Sequence, residues 1–268
     1  MQADEALGRL EAVIQEIGPP LTAFSGGVDS TLVAAVAARV HGRAALAVTG
    51  ISPSLSRSEA EQAAAVARAL GLRHQVVETQ ELVLEGYRAN AGDRCYFCKG
   101  ELFGKLVGLA RSEGLRAVLS GDNLDDIRPG SHRPGMRAAT ENGVRKPLIE
   151  AGLSKEAVRA VASRLGLPNH DKPASPCLAS RVPHGVRVSA EVLAKIESAE
   201  AGIRELGFRV FRVRHHGRLA RVEIAEDELE EAFARREQVH AACRRAGYLW
   251  ASLDLAGYRS GSLSAALS

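Results

Sequence analysis

Leu21-Thr22-Ala23-Phe24-Ser25-Gly26-Gly27-Val28-Asp29-Ser30, running on into Thr31-Leu32-Val33-Ala34-Ala35-Val36, decides how the rest of the chain is read. The spacing predicts a short apolar strand, a glycine turn and then a helix from about Ser30. Gly26 and Gly27 lack Cβ, so the backbone there can take positive φ and approach a ligand closely. The helix points its first unpaired N–H groups, and the positive end of its dipole, at the turn. Such a corner suits phosphate. The pattern is neither a Walker A loop, since no Gly-Lys-Ser/Thr follows, nor the spaced-glycine dinucleotide fingerprint. The plainer alternative is a tight strand-to-helix turn capped by Asp29 and Ser30.

Outward from this stretch, short apolar runs alternate with helical patterns. Residues 1 to 20 read as a helix, with Leu7, Leu10, Val13, Ile14 and Ile17 at helical spacing. Ala44 to Val48 and Arg73 to Glu78 read as strands. Between them lies a helix through Leu70, expected to be capped by Ser58 with Glu61. Ala117 to Ser120 is another buried strand, and it delivers the turn Gly121-Asp122-Asn123-Leu124-Asp125-Asp126. Strands and helices of this length imply an α/β fold, a parallel sheet with helices on both faces. Ligands on such sheets sit at the carboxyl ends of the strands. Both the Ser25 loop and the Gly121-Asp122 turn lie at such ends, and the acidic turn is either a magnesium or nucleotide contact or a hydrophilic cap. Residues 127 to 147 show no apolar period and are expected to form a mobile loop.

From about Ser189 the pattern changes to helix, strand, turn at His215-His216-Gly217, strand, a helix over Glu226 to Arg245 and a last strand. The expected division is 1–175 for a nucleotide-binding domain and 176–268 for a smaller C-terminal α+β region.

The chain has 268 residues, 46% hydrophobic, 25% charged and 4% aromatic, with a net charge of +3. So few aromatics argue against stacking platforms for single-stranded RNA, and so small a charge does not argue for nucleic acid. No apolar run is long enough for a bilayer and no secretory leader is evident, so the expected location is the cytoplasm. Cysteines there are reduced, and metal binding or catalysis outranks disulfides.

Cys95-Tyr96-Phe97-Cys98 is a Cys-x-x-Cys pair, and Cys177 lies in the proline-punctuated run Asp171 to Arg181. These three are expected on loops, with Cys243 a packing residue in the last helix. Three cysteines are one short of a closed zinc site unless His170 or His184 completes it. A [4Fe–4S] cluster on three thiolates leaves one iron open, and an unmetallated structural pair remains the alternative. Arg212 and Arg214 share one face of a strand, with Glu223 on the next strand and Glu200 on the preceding helix. They suit either an anion clamp or an exposed face with cross-strand ion pairs.

Ser25-Gly-Gly-Val-Asp29-Ser30 resembles the pyrophosphate (PP) loop of the N-type ATP pyrophosphatases, which split ATP between the α and β phosphates. Together with Gly121-Asp122-Asn123, Ser175-Pro-Cys177-Leu-Ala-Ser180-Arg181, Arg212-Val-Arg214 and Arg221-Val-Glu223, it is similar to one subfamily, the LarE sulfur transferases of nickel-pincer nucleotide cofactor synthesis. The resemblance implies ATP binding by Ser25, Gly26, Gly27, Asp29, Ser30, Gly121 and Asp122, with Asp29 at magnesium. It implies Ser180, Arg181, Arg212 and Arg214 at the substrate phosphate, acidic positions Glu200 and Glu223 without a fixed role, and Asp29, Ser30 and Cys177 in catalysis. The implied substrate is pyridinium-3,5-biscarboxylic acid mononucleotide, each carboxylate being adenylated and then converted to a thiocarboxylate. Members with a lone loop cysteine sacrifice its sulfur. Cys95, Cys98 and Cys177 instead resemble members whose [4Fe–4S] cluster carries an extra sulfide on the open iron. The implied assembly is a homohexamer, with a sulfide donor as partner and neither membrane nor nucleic acid.

Two other enzyme classes share the loop. A tRNA thiolase would bring an RNA-binding region and stacking aromatics, which are not evident. An ammonia-using synthetase would not need the three cysteines. A nucleotide-binding sensor without chemistry is the third alternative.

Overall fold

The computed structural model describes residues 2–127 and 133–259. In chain order the elements are α1 (Ala3–Ile17), β1 (Pro20–Ala23), α2 (Val28–His41), β2 (Leu46–Ile51), α3 (Arg57–Ala69), β3 (His74–Glu78), α4 (Glu85–Ala89), α5 (Arg94–Ser112) and β4 (Ala117–Leu119). There follow α6 (Pro134–Glu141), α7 (Pro147–Glu150), α8 (Lys155–Arg164), α9 (Ala190–Glu205), β5 (Phe211–His216), β6 (Leu219–Ile224), α10 (Leu229–Ala234), α11 (Arg236–Arg245) and β7 (Trp250–Leu253). The chain divides into two compact units, Met1–Leu84 with Asp93–Ser175, and Glu85–Gly92 with Pro176–Ser268.

The first unit is an α/β fold. Its sheet has the order β3-β2-β1-β4, with every pair parallel. Successive residues of a strand point to opposite faces, and the core divides accordingly. Leu119 packs with α1, α2 and α8 through Leu10, Ile14, Leu32, Val36, Val158 and Val161. Val118, with Leu21, Leu46 and Val48, packs instead against Phe103 and Leu106 of α5 and Ala139 of α6. Helices therefore cover both faces. The chain steps outward from β1 to β2 to β3 and then returns to the other side of β1 with β4. The strand order thus reverses between β1 and β4, where open α/β sheets hold their ligands.

Three local expectations need correction. The cap of α3 is Ser56, whose hydroxyl accepts from Glu59 N at 3.3 Å, and Ser58 lies inside the helix. The stretch expected as a loop over 127 to 147 contains α6 and α7, each with proline in its first turn, a position where the missing N–H costs nothing; residues 128–132 lie outside the described residues. Cys95 and Cys98 are not on a loop but in the opening turns of α5.

In the second unit, β5 and β6 form an antiparallel hairpin and β7 adds to β6 in parallel. Phe211, Val213, Ala220, Val222 and Ile224 bury one sheet face against Ala199 and Ile203 of α9 and Val239, Ala242 and Cys243 of α11. Burial raises the Cys243 thiol pKa to about 11, as expected of a packing residue. His215 and His216 belong to β5 rather than to the turn. The helix expected over Glu226 to Arg245 is interrupted at Arg235, which leaves helical dihedrals (φ −99, ψ 21) while its Nη1 donates to Leu206 O at 2.6 Å.

Candidate active site

The Ser25 loop owes its path to close approaches. Gly26 sits at φ +71, and a Cβ there would lie 2.8 Å from the Ala63 backbone. Gly121 leaves β4 so near the start of α2 that a Cβ would lie 2.8 Å from Ser30 N. Glycine is required at both positions, and the two loops are thereby brought together at the point of strand reversal.

Within the loop, Ser30 Oγ donates to Gly27 O at 3.1 Å. Its single proton being used, Ser25 Oγ is the donor in the 3.0 Å contact between the two hydroxyls. Ser25 N also donates to Ser30 Oγ at 3.2 Å. Asn169 Nδ2 donates to Gly26 O at 2.8 Å and to Thr31 Oγ1 at 2.9 Å, tying the turn to the helix behind it. Behind β1, Thr49 Oγ1 donates to Phe24 O at 2.8 Å and meets His74 Nε2 at 2.8 Å. The hydroxyl proton being spent on Phe24, the imidazole is the donor to Thr49, and burial lowers the pKa of His74.

These loops open on a cavity of about 620 Å³, within the range for small-molecule sites. Ser25, Gly27, Asp29, Ser30, Gly121 and Asp122 all line it. Asp29 Oδ1 accepts from Asn123 Nδ2 at 3.2 Å, and Oδ2 accepts from Lys155 Nζ. Ser120 Oγ donates to Asp122 Oδ2 at 2.6 Å. Lys99, Arg133 and Lys155 supply cations to the lining, while Phe24, Val48 and Leu102 supply apolar surface. A glycine-cornered helix start, carboxylates that suit magnesium, lysines and an apolar wall together suit a nucleoside triphosphate.

Sequence reading missed Lys155, Asn123 as a partner of Asp29, and Asn169. Lys155 carried one local signal, its place directly after Ser154, the cap of α8.

In the second unit, Cys177 precedes a 3-10 turn over Leu178–Arg181. Arg181 is buried, 4% exposed, and its Nε and Nη2 donate to Oε1 and Oε2 of Glu200 at 2.9 and 3.1 Å. Its Nη1 donates to Pro176 O, Cys177 O and Ser180 Oγ. Arg214 donates through Nε and Nη2 to Glu223 Oε2 at 2.9 and 2.7 Å and through Nη1 to Ser180 O at 3.0 Å. Arg221 Nη2 reaches Glu223 Oε1 at 3.0 Å. The Arg212 guanidinium lies 5.1 Å from the Tyr258 ring centroid, and its pKa is lowered by burial and then by the nearby Arg181. Arg221 also reaches Asp254 at 3.4 Å, so with Arg212 four arginines face three carboxylates and leave a net positive, partly buried cluster that suits an anion.

The cysteines form no disulfide. Cys95 and Cys98, three apart on α5, lie on one helix face, and soft thiolates fit iron–sulfur or zinc. Among the described residues no three His, Cys, Asp or Glu side chains are gathered into a metal centre, and no helix is long and apolar enough to cross a membrane.

The family model described as asparagine synthase matches residues 14–198. The chain is 42% identical to an uncharacterized protein of Synechocystis, over 98% of each chain. It is 34% identical to pyridinium-3,5-bisthiocarboxylic acid mononucleotide synthase of Lactiplantibacillus plantarum, over 95% of this chain and 92% of that one. It is also 30% identical to the tRNA-specific 2-thiouridylase MnmA of Caulobacter vibrioides, over 68% of this chain and 57% of that one. The pyrophosphate loop at the strand reversal and the near full-length likeness to the mononucleotide synthase lead to one conclusion: the chain belongs to the LarE-type ATP-dependent sulfur transferases, within the PP-loop ATP pyrophosphatases.

Proposed function

We propose that the enzyme adenylates the carboxylates of pyridinium-3,5-biscarboxylic acid mononucleotide and converts them to thiocarboxylates for nickel-pincer nucleotide synthesis. The observation that carries this reading is the pairing of two sites, a pyrophosphate loop in the first unit and a buried arginine cluster beside Cys177 in the second. In this reading residues 1–175 activate the substrate and residues 176–268 bind it and carry the oligomer contacts.

A carboxylate is a poor acyl donor until AMP makes its oxygen a good leaving group. Ser25, Ser30 and the first N–H groups of α2 hold the pyrophosphate as it departs. Gly26, Gly27, Gly121 and Asp122 shape the ATP site. Asp29 orients magnesium, which when bound neutralises the phosphate charge. Arg212 and Arg214, with Ser180 and Arg181, hold the substrate phosphate. The ion pairs give Glu200 and Glu223 a place as counter-ions that keep the buried arginines aligned.

Cys95, Cys98 and Cys177 would be the ligands of a [4Fe–4S] cluster, supported by their number, their absence from any disulfide and the helical Cys-x-x-Cys pair. When bound, the cluster supplies the sulfur nucleophile. A cytoplasmic location, a homohexamer and a separate sulfide donor complete the reading. The identity to a tRNA thiouridylase covers only part of that protein, so tRNA thiolation is the second reading.

Anaerobic reconstitution with iron and sulfide tests the cluster. Iron near four per chain is expected in wild type and Cys243→Ala, following the cluster type, with loss in Cys95→Ala, Cys98→Ala and Cys177→Ala. Zinc alone in wild type, or dehydroalanine at Cys177 after one turnover, would replace the cluster with a sacrificial cysteine.

A further inference from the structure

Asn90 is the one non-glycine residue with positive φ among the described residues, at φ 53, and it is fully buried. Non-glycine residues adopt this conformation rarely, asparagine more readily than most, and such outliers persist where surrounding structure holds them. Here the surroundings are a distant turn of the same unit. Asn90 Nδ2 donates to Pro183 O at 2.8 Å, to Val186 O at 3.0 Å and, more weakly, to Val182 O at 3.4 Å. Its backbone carbonyl accepts from Gly185 N at 3.0 Å, and Arg88 O accepts from Val188 N at 2.9 Å. The segment Glu85–Gly92 is thus a template on which residues 182–188 are laid.

That turn is the downstream end of the Cys177 segment. At the upstream end Arg181, anchored on Glu200, donates to the carbonyls of Pro176 and Cys177. Val182 is the next residue after Arg181, and its carbonyl meets Asn90. Cys177 therefore lies in an irregular stretch held at both ends by buried side-chain donors, with little regular secondary structure between them. A cysteine that helps hold the sulfur donor against an acyl adenylate gains from such fixation, since small displacements of a reacting group cost large factors in rate.

We infer that Asn90 is a positioning residue for Cys177: by fixing the 182–188 turn it presents the cysteine for sulfur transfer, without touching ATP. The inference rests on the reading that Cys177 serves sulfur transfer. An out-of-place cysteine leaves the acyl adenylate to water, which restores the carboxylate and releases AMP. The signature is therefore a fall in thiocarboxylate formed per AMP released, whereas a merely structural defect lowers both rates together.

The test measures both products, with ATP, magnesium, sulfide and the pyridinium mononucleotide, for wild type, Asn90→Gly, Asn90→Asp and Cys177→Ala. Glycine keeps the backbone conformation and removes the donor, and aspartate replaces the donor with an acceptor facing three carbonyls. The ratio is expected to fall about tenfold or more in both Asn90 variants, with AMP release and KM for ATP near wild type, and to vanish in Cys177→Ala. A wild-type ratio in Cys177→Ala would sink the reading of the cysteine itself. Loss of the ratio in Cys177→Ala with no change in Asn90→Gly would overturn the role of Asn90 alone. So would a parallel fall of both products, or failure of both Asn90 variants to fold, since either makes Asn90 a residue of stability rather than of position.

Discussion

The ammonium of Lys155 rests on Oδ2 of Asp29, 126 residues away in sequence, while Asn123 donates to Oδ1 of the same carboxylate. Asp29 lies in the first turn of α2 and Lys155 opens α8, so two helix starts converge on one carboxylate inside the cavity. The lysine side chain is 36% exposed, and a pair this open contributes little to stability. Its value lies in placing a cation where phosphate charge would collect.

Asp29→Ala is expected to abolish AMP formation and Lys155→Ala to lower it about ten- to a hundredfold, the worth of one charge-assisted hydrogen bond. Melting temperatures should stay near wild type in both. AMP release at the wild-type rate from Asp29→Ala at saturating magnesium would remove the carboxylate from the mechanism.

Gly26→Ala and Gly121→Ala introduce a Cβ 2.8 Å from backbone atoms of Ala63 and of Ser30. Backbone cannot yield as a flexible side chain can, so the loops must part. ATP affinity, measured by titration calorimetry, should fall at least tenfold in each. Unchanged affinity in Gly121→Ala would show that the nucleotide does not depend on the closeness of the two loops.

The arginines of the second unit should separate by burial. Arg181→Met strands the buried Glu200 carboxylate and should cost about 3–5 kcal/mol in urea unfolding, while Arg214→Met should cost less because Arg221 still reaches Glu223. Arg212 is only part-buried and stacks on Tyr258, so Arg212→Ala should spare stability. It should weaken binding of the pyridinium mononucleotide about ten- to a hundredfold and leave ATP affinity intact. If ATP affinity falls instead, the two-site division is wrong.

Burial lowers the pKa of His74 and of His215 from 6.5. Both rings are held neutral in the fold, so their contribution to stability is complete above the unfolded value and is lost as pH falls through the lowered folded values. The urea midpoint should therefore drop as pH falls below 6.5, the ordinary histidine value. His74→Gln, which keeps a donor for Thr49 and cannot titrate, should show a smaller drop. An equal drop would assign the pH dependence elsewhere.

The strand–glycine–helix corner was legible because its pattern is local: strand, two glycines and a polar helix start lie within ten consecutive residues, Leu21 to Ser30. Lys155, Asn169 and Asn90 were not, since each works on a partner far along the chain and none belongs to a periodic pattern. The α6 helix leaves no periodic signal in the sequence because it buries only Ala138 and Ala139. The Cys-x-x-Cys pair has no apolar period of its own to mark it as helical, yet α5 begins at Arg94. The arginine pattern left ion pair and anion clamp open, and the fold shows Arg181 and Arg214 already seated on carboxylates.

The most direct test offers the enzyme both substrates. Anaerobically reconstituted protein, with ATP, magnesium and sulfide, is given pyridinium-3,5-biscarboxylic acid mononucleotide in one arm and unmodified tRNA in the other, and AMP and sulfur-containing product are quantified by mass spectrometry. The account predicts thiocarboxylate on the pyridinium ring, one AMP for each sulfur introduced, and no thiolated base. AMP formation dependent on tRNA, with thiouridine as product and the pyridinium nucleotide unchanged, would contradict it.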